Sequence, residues 1–214
     1  MSTKRSVSNV QQVQKIPHRP GEGAVIGAIR QALAGPNGQT SLTLVLDLES
    51  AQVPDRRYVA NAVDITYEGD RVTFVFGQHK LGKKGYRSLL ILEMSSTYAR
   101  QFINASKEMG ASVAKYLEQF AVQKVEIVKI TEDVPGQTVT MGANIAAAGF
   151  TGRDACMDFY YASPFAVQIA SRGGEFSAEP VVRVNMTTAL MFAIYKKLES
   201  WEDSFPREIK EEQE

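Results

Sequence analysis

The sequence predicts an α+β protein built from two successive units, each with four strands followed by a helix. Three observations carry that expectation. The stretch "LLILEMSSTYARQFINASKEM", Leu89 to Met109, is answered downstream by "VVRVNMTTALMFAIYKKLESW", Val181 to Trp201. In both, an alternating apolar run ends in Met, and a pair of hydroxyl residues opens an amphipathic helix. Each is preceded by shorter alternating runs divided by turn residues, the pattern of antiparallel hairpins. The 214 residues, 44 % apolar and 22 % charged, are enough for a sizeable core without cross-links.

Along the chain, residues 1–20 lack periodicity and form a basic tail that ends in Pro20. "GEGAVIGAIRQALAG" places Ala24, Ile26, Ile29 and Leu33 at near-helical spacing, so a short helix is expected, closed by "GPNG". "TSLTLVLDLES" alternates strictly and reads as a strand, as does "RYVANAVDITY". "EGD" is a tight turn into "RVTFVFG", and "SLLILEM" is the fourth strand. Ser95 and Ser96 cap a helix whose stripe is Phe102, Met109, Val113, Tyr116 and Phe120.

The second unit begins with "VEIVKI", read as a strand, and "TVTMGANIAA", another. "ACMDFYY" and "FAVQIAS" are expected to pair across the turn "ASP", and "VVRVNM" is the last strand. Thr187 and Thr188 cap a helix with the seam Met191, Ile194, Leu198, Trp201 and Phe205, which Pro206 stops. The expected boundaries are a tail over 1–20, a first unit over 21–122, a second over 123–206, and a charged tail over 207–214. Each antiparallel sheet is expected to lie under its own long C-terminal helix, the two units being related by a pseudo-twofold. Met94 and Met186 stand 92 apart, and aligning Val72 with Val167 in the hairpin gives 95, the favoured match. A rival match sets Asn61, Gly69 and Phe76 against Asn144, Gly152 and Phe159 at 83, at the expense of nine extra residues before the last strand.

The segments "YVANAVDITYEGDRVTFVFGQ", "SLLILEMSSTYARQFINASKEM" and "YLEQFA" resemble the bacterial and archaeal family named domain of unknown function 3467. "MDFYYASPFAVQI" and "EPVVRVNMTTALMFAIYKKLESWEDSF" echo it a second time, without the "YAN"-like element. The resemblance covers roughly Tyr58–Phe120 and Asp158–Phe205 and implies no activity, because the family has none to carry over. The order of four strands and a helix is also analogous to SecB-type export chaperones and to whirly/Pur-type single-strand binders. Such analogy concerns topology alone.

No catalytic constellation stands out. His18 and His79 have no nucleophile context, and Cys156 lies on an apolar strand. Asp64, Glu68 and Asp70 flank a turn, where acidic residues favour the turn itself. The glycines at 21, 23 and 27 miss the dinucleotide spacing, and "LGKKGY" lacks the parts of a phosphate loop. No metal, cofactor or enzymatic role is therefore expected. One cysteine excludes a disulfide framework, and 24 basic against 24 acidic residues argue against a dedicated duplex-DNA binder. No apolar run is long enough for a membrane helix, and the polar N-terminus lacks a signal-peptide core, so a cytoplasmic protein is expected.

What remains is a binding surface. The loop "HKLGKKGYR" gathers Lys80, Lys83, Lys84, Tyr86 and Arg87, and cations that follow phosphate beside rings that stack bases are the means of single-strand binding. Tyr67, Phe74 and Phe76, with Tyr160 and Tyr161, are the candidate rings. The alternative is a SecB-like chaperone or assembly protein holding unfolded, apolar polypeptide on the charge-free stretch 134–152 and the seam Met191–Phe205. Self-association is expected in either case.

Overall fold

The computed structural model of the protein describes residues 23–25, 28–35, 38–46, 51–80, 84–108, 127–130, 138–151, 153–172 and 175–206. Its strands are β1 (Gly23–Val25), β2 (Ala28–Gly35), β3 (Gly38–Val45), β4 (Arg57–Val59), β5 (Ala62–Glu68), β6 (Arg71–His79) and β7 (Tyr86–Ser95). Helix α1 (Ser96–Glu108) follows, then β8 (Val139–Gly142), β9 (Ile145–Thr151) and β10 (Asp154–Tyr161). Helix α2 (Pro164–Ser171), β11 (Glu179–Thr187), α3 (Thr188–Glu199) and a 3-10 turn (Glu202–Ser204) complete the order. The class is α+β. One sheet runs β1-β9-β10-β11-β4, a second runs β5-β6-β7-β8, and β2 and β3 pair separately.

The sheets are mixed rather than purely antiparallel, and the reason is local. "RYVANAVDITY" is not one strand: the chain breaks at Ala60 and Asn61, sending β4 and β5 into different sheets. β4 lies parallel to β11, with Tyr58 beside Val184. "TVTMGANIAA" breaks in the same way at Ala143 and Asn144, and β8 lies parallel to β7, with Met141 beside Leu92. The strand that opens each run of four thus completes the sheet of the other run. The break is held alike in both places. Asn61 N–H donates to Gly77 O at 3.1 Å and Asn144 N–H to Tyr160 O at 3.1 Å. Asn61 Oδ1 accepts from His79 N–H at 2.9 Å, and Asn144 Oδ1 from Ala162 N–H at 2.8 Å.

The ladder registers agree throughout. Ala62 opposes Gly77 as Ile145 opposes Tyr160, and Phe74 opposes Leu92 as Met157 opposes Val184. A bulge follows Phe76 in one sheet and Phe159 in the other. β5–β6 and β9–β10 stand 83 residues apart, whereas β7–α1 and β11–α3 stand 92 apart. The rival match at 83 is the one the ladder follows. The favoured pairing of Val72 with Val167 fails because Val167 lies on α2, inside the nine extra residues between β10 and β11.

Three further expectations are corrected. Residues 23–25 and 28–35 form strands, not a helix: β1 pairs with β9, and β2 pairs with β3 down to Gly35 beside Gly38, so ladder pairing overrides the near-helical spacing. "FAVQIAS" is a helix because Ser163 caps it, accepting from Ala166 N–H at 3.2 Å, and Pro164 occupies the first turn. Residues 127–130 form no strand, although Val128 N–H donates to Val63 O at 3.1 Å. Gly69, at φ +62, makes the expected turn between β5 and β6.

One core joins both sheets. Val63, Ile65, Val72, Phe74, Phe76, Leu90 and Leu92 of the four-stranded sheet meet Met157, Phe159, Val182 and Val184 of the five-stranded sheet. Phe76 and Phe159 are both fully buried, their ring centroids 6.1 Å apart, and each side chain so buried contributes roughly 2–3 kcal/mol. Neither helix keeps to its own sheet: α1 packs on β7 and also β9, and α3 packs on β10 and β11 and also β5. Thr187 caps α3, accepting from Leu190 N–H at 3.2 Å, and Met191, Ile194, Leu198 and Phe205 are buried as their spacing predicts. Ser95 Oγ accepts from Thr97 N–H at 3.2 Å at the head of α1. Of the expected stripe on that helix Phe102 is buried; Met109, Val113, Tyr116 and Phe120 lie outside the described residues, as do the two tails.

Candidate nucleic-acid interface

The basic connection between β6 and β7 is closed by Lys80 N–H donating to Gly85 O at 3.1 Å, and Gly85, at φ +102, permits the bend. His79 and Tyr86 are cross-strand partners at its base, and their rings meet edge to face at 5.3 Å. His79 is exposed and Tyr86 half-exposed, so the ring pair reaches solvent. Lys84 and Arg87 are exposed beside it. Arg87 Nη2 donates to the neutral Gln78 Oε1 at 3.1 Å, and Arg87 has no ion-pair partner among the described residues. Lys83 lies outside the described residues.

Strand β4 adds two cations that sequence reasoning missed. Gln78 Nε2 donates to Val59 O at 2.8 Å, so β4 runs against the end of β6. Arg57 stands two residues before Val59, about 7 Å along the strand and on the same face. Arg56 and Arg57 are exposed, and neither has an ion-pair partner among the described residues. Four exposed cations therefore belong to this end of β6: Lys84 stands in the connection beside the ring pair, and Arg87, with Arg56 and Arg57 of β4, lies on the side that Gln78 faces, across the ladder from His79 and Tyr86. No local pattern announces Arg56 and Arg57, because a strand exchange more than a hundred residues long brings β4 here.

Three of the proposed stacking rings are corrected. Phe74 is 1 % exposed and Phe76 fully buried, stacked on each other at 6.0 Å between centroids, so neither face is open to a base. Alternation put them on one face, and that face is the core. Tyr160 is buried, its hydroxyl donating to Asp158 Oδ2 at 3.5 Å. Tyr67 is only partly buried, but its ring packs edge-on against Phe205 at 4.9 Å and its hydroxyl donates to Ser204 O at 3.0 Å. It fastens the turn after α3 to β5. Tyr161, 42 % exposed, lies at the opposite connection.

On the outer face of the five-stranded sheet, Arg183 clasps Asp158 with two donors, Nε and Nη2, both at 2.6 Å. This hydrogen bonding raises the Arg183 pKa further, so the guanidinium stays charged. Burial first, and then the Asp158 charge, pushes the Tyr160 phenol up to about 12 and also raises the Cys156 thiol. A thiol held protonated is a poor nucleophile. Among the described residues no three His, Cys, Asp or Glu side chains gather into a metal-binding group, and no helix is long and apolar enough to cross a membrane. Comparison with family models, with curated proteins and with solved structures finds no match to this chain.

Proposed function

We propose that the protein is a non-enzymatic binder of single-stranded nucleic acid, built as a doubled four-strand-and-helix module. The doubling reading rests on the equal ladder registers, the matched bulges and the reciprocal parallel strands. Phe76 and Phe159 hold equivalent positions and touch, as residues beside a pseudo-twofold axis do. The binding reading rests on one observation: the solvent-reaching His79–Tyr86 ring pair with Lys84 beside it, at a strand end whose other face carries the exposed Arg87, Arg56 and Arg57. Rings offer a sequence-tolerant platform for a base, and the cations follow phosphate. The supports for an apolar client site are largely buried, although Val139 stays 37 % exposed. β9 is buried through Ala146, Ala148 and Phe150, and the α3 seam is covered by the chain itself.

Fluorescence anisotropy of a labelled single-stranded oligonucleotide at low salt tests the reading. Wild-type protein binds, and affinity falls steeply as salt rises. Lys83→Glu with Lys84→Glu abolishes retention, and Arg57→Glu weakens it by roughly tenfold through the loss and reversal of a phosphate contact. A wild-type protein that leaves the anisotropy unchanged at low salt ends the reading.

A further inference from the structure

The nine extra residues between β10 and β11 build something that the other half lacks. Helix α2 stands over the end of β7 and the start of β9, and between them lies a cleft of about 490 Å³. That volume is within the range of small-molecule sites. One wall carries Asp70, Arg71 and Glu93, and the other carries Tyr98, Tyr161 and Val167. The second wall is fixed. Asn144 exchanges two hydrogen bonds with the backbone of Ala162, both at 2.8 Å, and Val167 is buried against Tyr160 and Ile145.

The polar groups in the cleft are unbalanced toward acceptors. Arg71 Nη1 is engaged by Glu93 Oε2 at 3.1 Å, whereas the Asp70 carboxylate has no ion-pair partner among the described residues. A backbone carbonyl adds to this. β8 is the last strand of its sheet, and Ala143 N–H donates to Glu93 O at 3.0 Å. The alternation of a parallel ladder therefore turns the N–H and C=O of Gly142 away from β7, toward the cleft that Gly142 lines. At the equivalent point of the other half, Val59 O accepts from the side chain of Gln78 at 2.8 Å. The residue in the position of Gln78 is Tyr161, which has no amide to give. Net charge in the cleft is negative, the Asp70 carboxylate and the Gly142 C=O are there to accept, and two phenol rings stand by.

We infer that this cleft binds an organic cation, an alkylammonium or guanidinium group whose donors satisfy Asp70 and the Gly142 carbonyl while its charge faces the tyrosine rings. A volume of about 490 Å³ leaves room for a carbon chain behind the charged head. Free polyamines and lysine side chains share this chemistry. The inference does not depend on nucleic-acid binding, because the site lies at the opposite connection and has the opposite charge.

Gly142 makes the inference testable. A Cβ built there meets no atom within 4 Å, so the fold accepts Gly142→Leu, which adds bulk to a residue that lines the cleft. Isothermal titration of the full chain at low salt, with spermidine in one arm and N-acetyl-lysine methylamide in the other, reads the binding. Spermidine heat is expected with wild-type protein, weakened about tenfold or more in Asp70→Asn and lost in Gly142→Leu, whose thermal midpoint stays unchanged. Equal or tighter binding of the lysine amide assigns the site to a peptide side chain, and spermidine alone assigns it to a free amine. Silence from both probes at millimolar concentration overturns the proposal, and so does spermidine binding that survives Gly142→Leu.

Discussion

The β6–β7 and β10–β11 connections leave equivalent points of equivalent ladders and come to opposite ends in character. The first spans residues 80–85, is basic, and holds the His79–Tyr86 pair against solvent. The second spans 162–178, contains α2, and roofs a cleft lined by Asp70, Glu93 and two tyrosines. At the first, Gln78 seals the free carbonyl of the adjoining edge strand; at the second, Tyr161 leaves it open. The lesson is that the ladder sets where a surface can be built, whereas the connections decide what it recognises. On the proposed doubling, the two halves share strand registers and differ in what they present.

The comparison can be broken most forcefully in the core. Phe76→Ala and Phe159→Ala should each lower stability by about 4 kcal/mol in urea unfolding, with the double variant losing less than the sum because the rings touch. Costs that differ by more than about 2 kcal/mol between the single variants would show that the two positions are not equivalent. On the outer faces the halves diverge: Asp158 and Arg183 clasp where Val75 and Ile91 stand in the other sheet. Asp158→Ala should cost about 3 kcal/mol by stranding a guanidinium, yet Asp158→Val with Arg183→Ile should be close to neutral. A double variant as damaged as the single one would mean that the ion pair does more than fill a cross-strand position. The smallest effect lies at the breaks. Asn144→Ala, which strips partners from a buried N–H and C=O, should cost about 2 kcal/mol, and Asn61→Ala, at an exposed site, about 1 kcal/mol or less. Thermal melting of the two variants side by side reads the difference.

Much of the frame was legible because it is written locally. β6, β7, β11 and α3 follow from period-two and three-to-four spacings that need no distant partner. The 83 spacing is also legible in Asn61, Gly69 and Phe76, but it demands nine extra residues where the 95 match needs a difference of three. The strand-like alternation of "FAVQIAS" hid α2, although Ser163-Pro164 is a helix-opening signal. The candidate site was half legible. Lys84, Tyr86 and Arg87 were found from charge and aromaticity in one loop. Phe74 and Phe76 were misplaced because alternation tells which residues share a face, not which face is inside. Arg56 and Arg57 could not be found, since only the pairing of β4 with β11 and the bond from Gln78 bring them to the end of β6.

The reciprocal parallel strands also govern how this chain comes into being. Arg57 finds its ladder partner at Arg183, so during synthesis β4 emerges long before the strand that will receive it. The edge of β7 can be closed once residues 139–142 are made, whereas β4 must stay unpaired until β11, more than a hundred residues later, has been delivered.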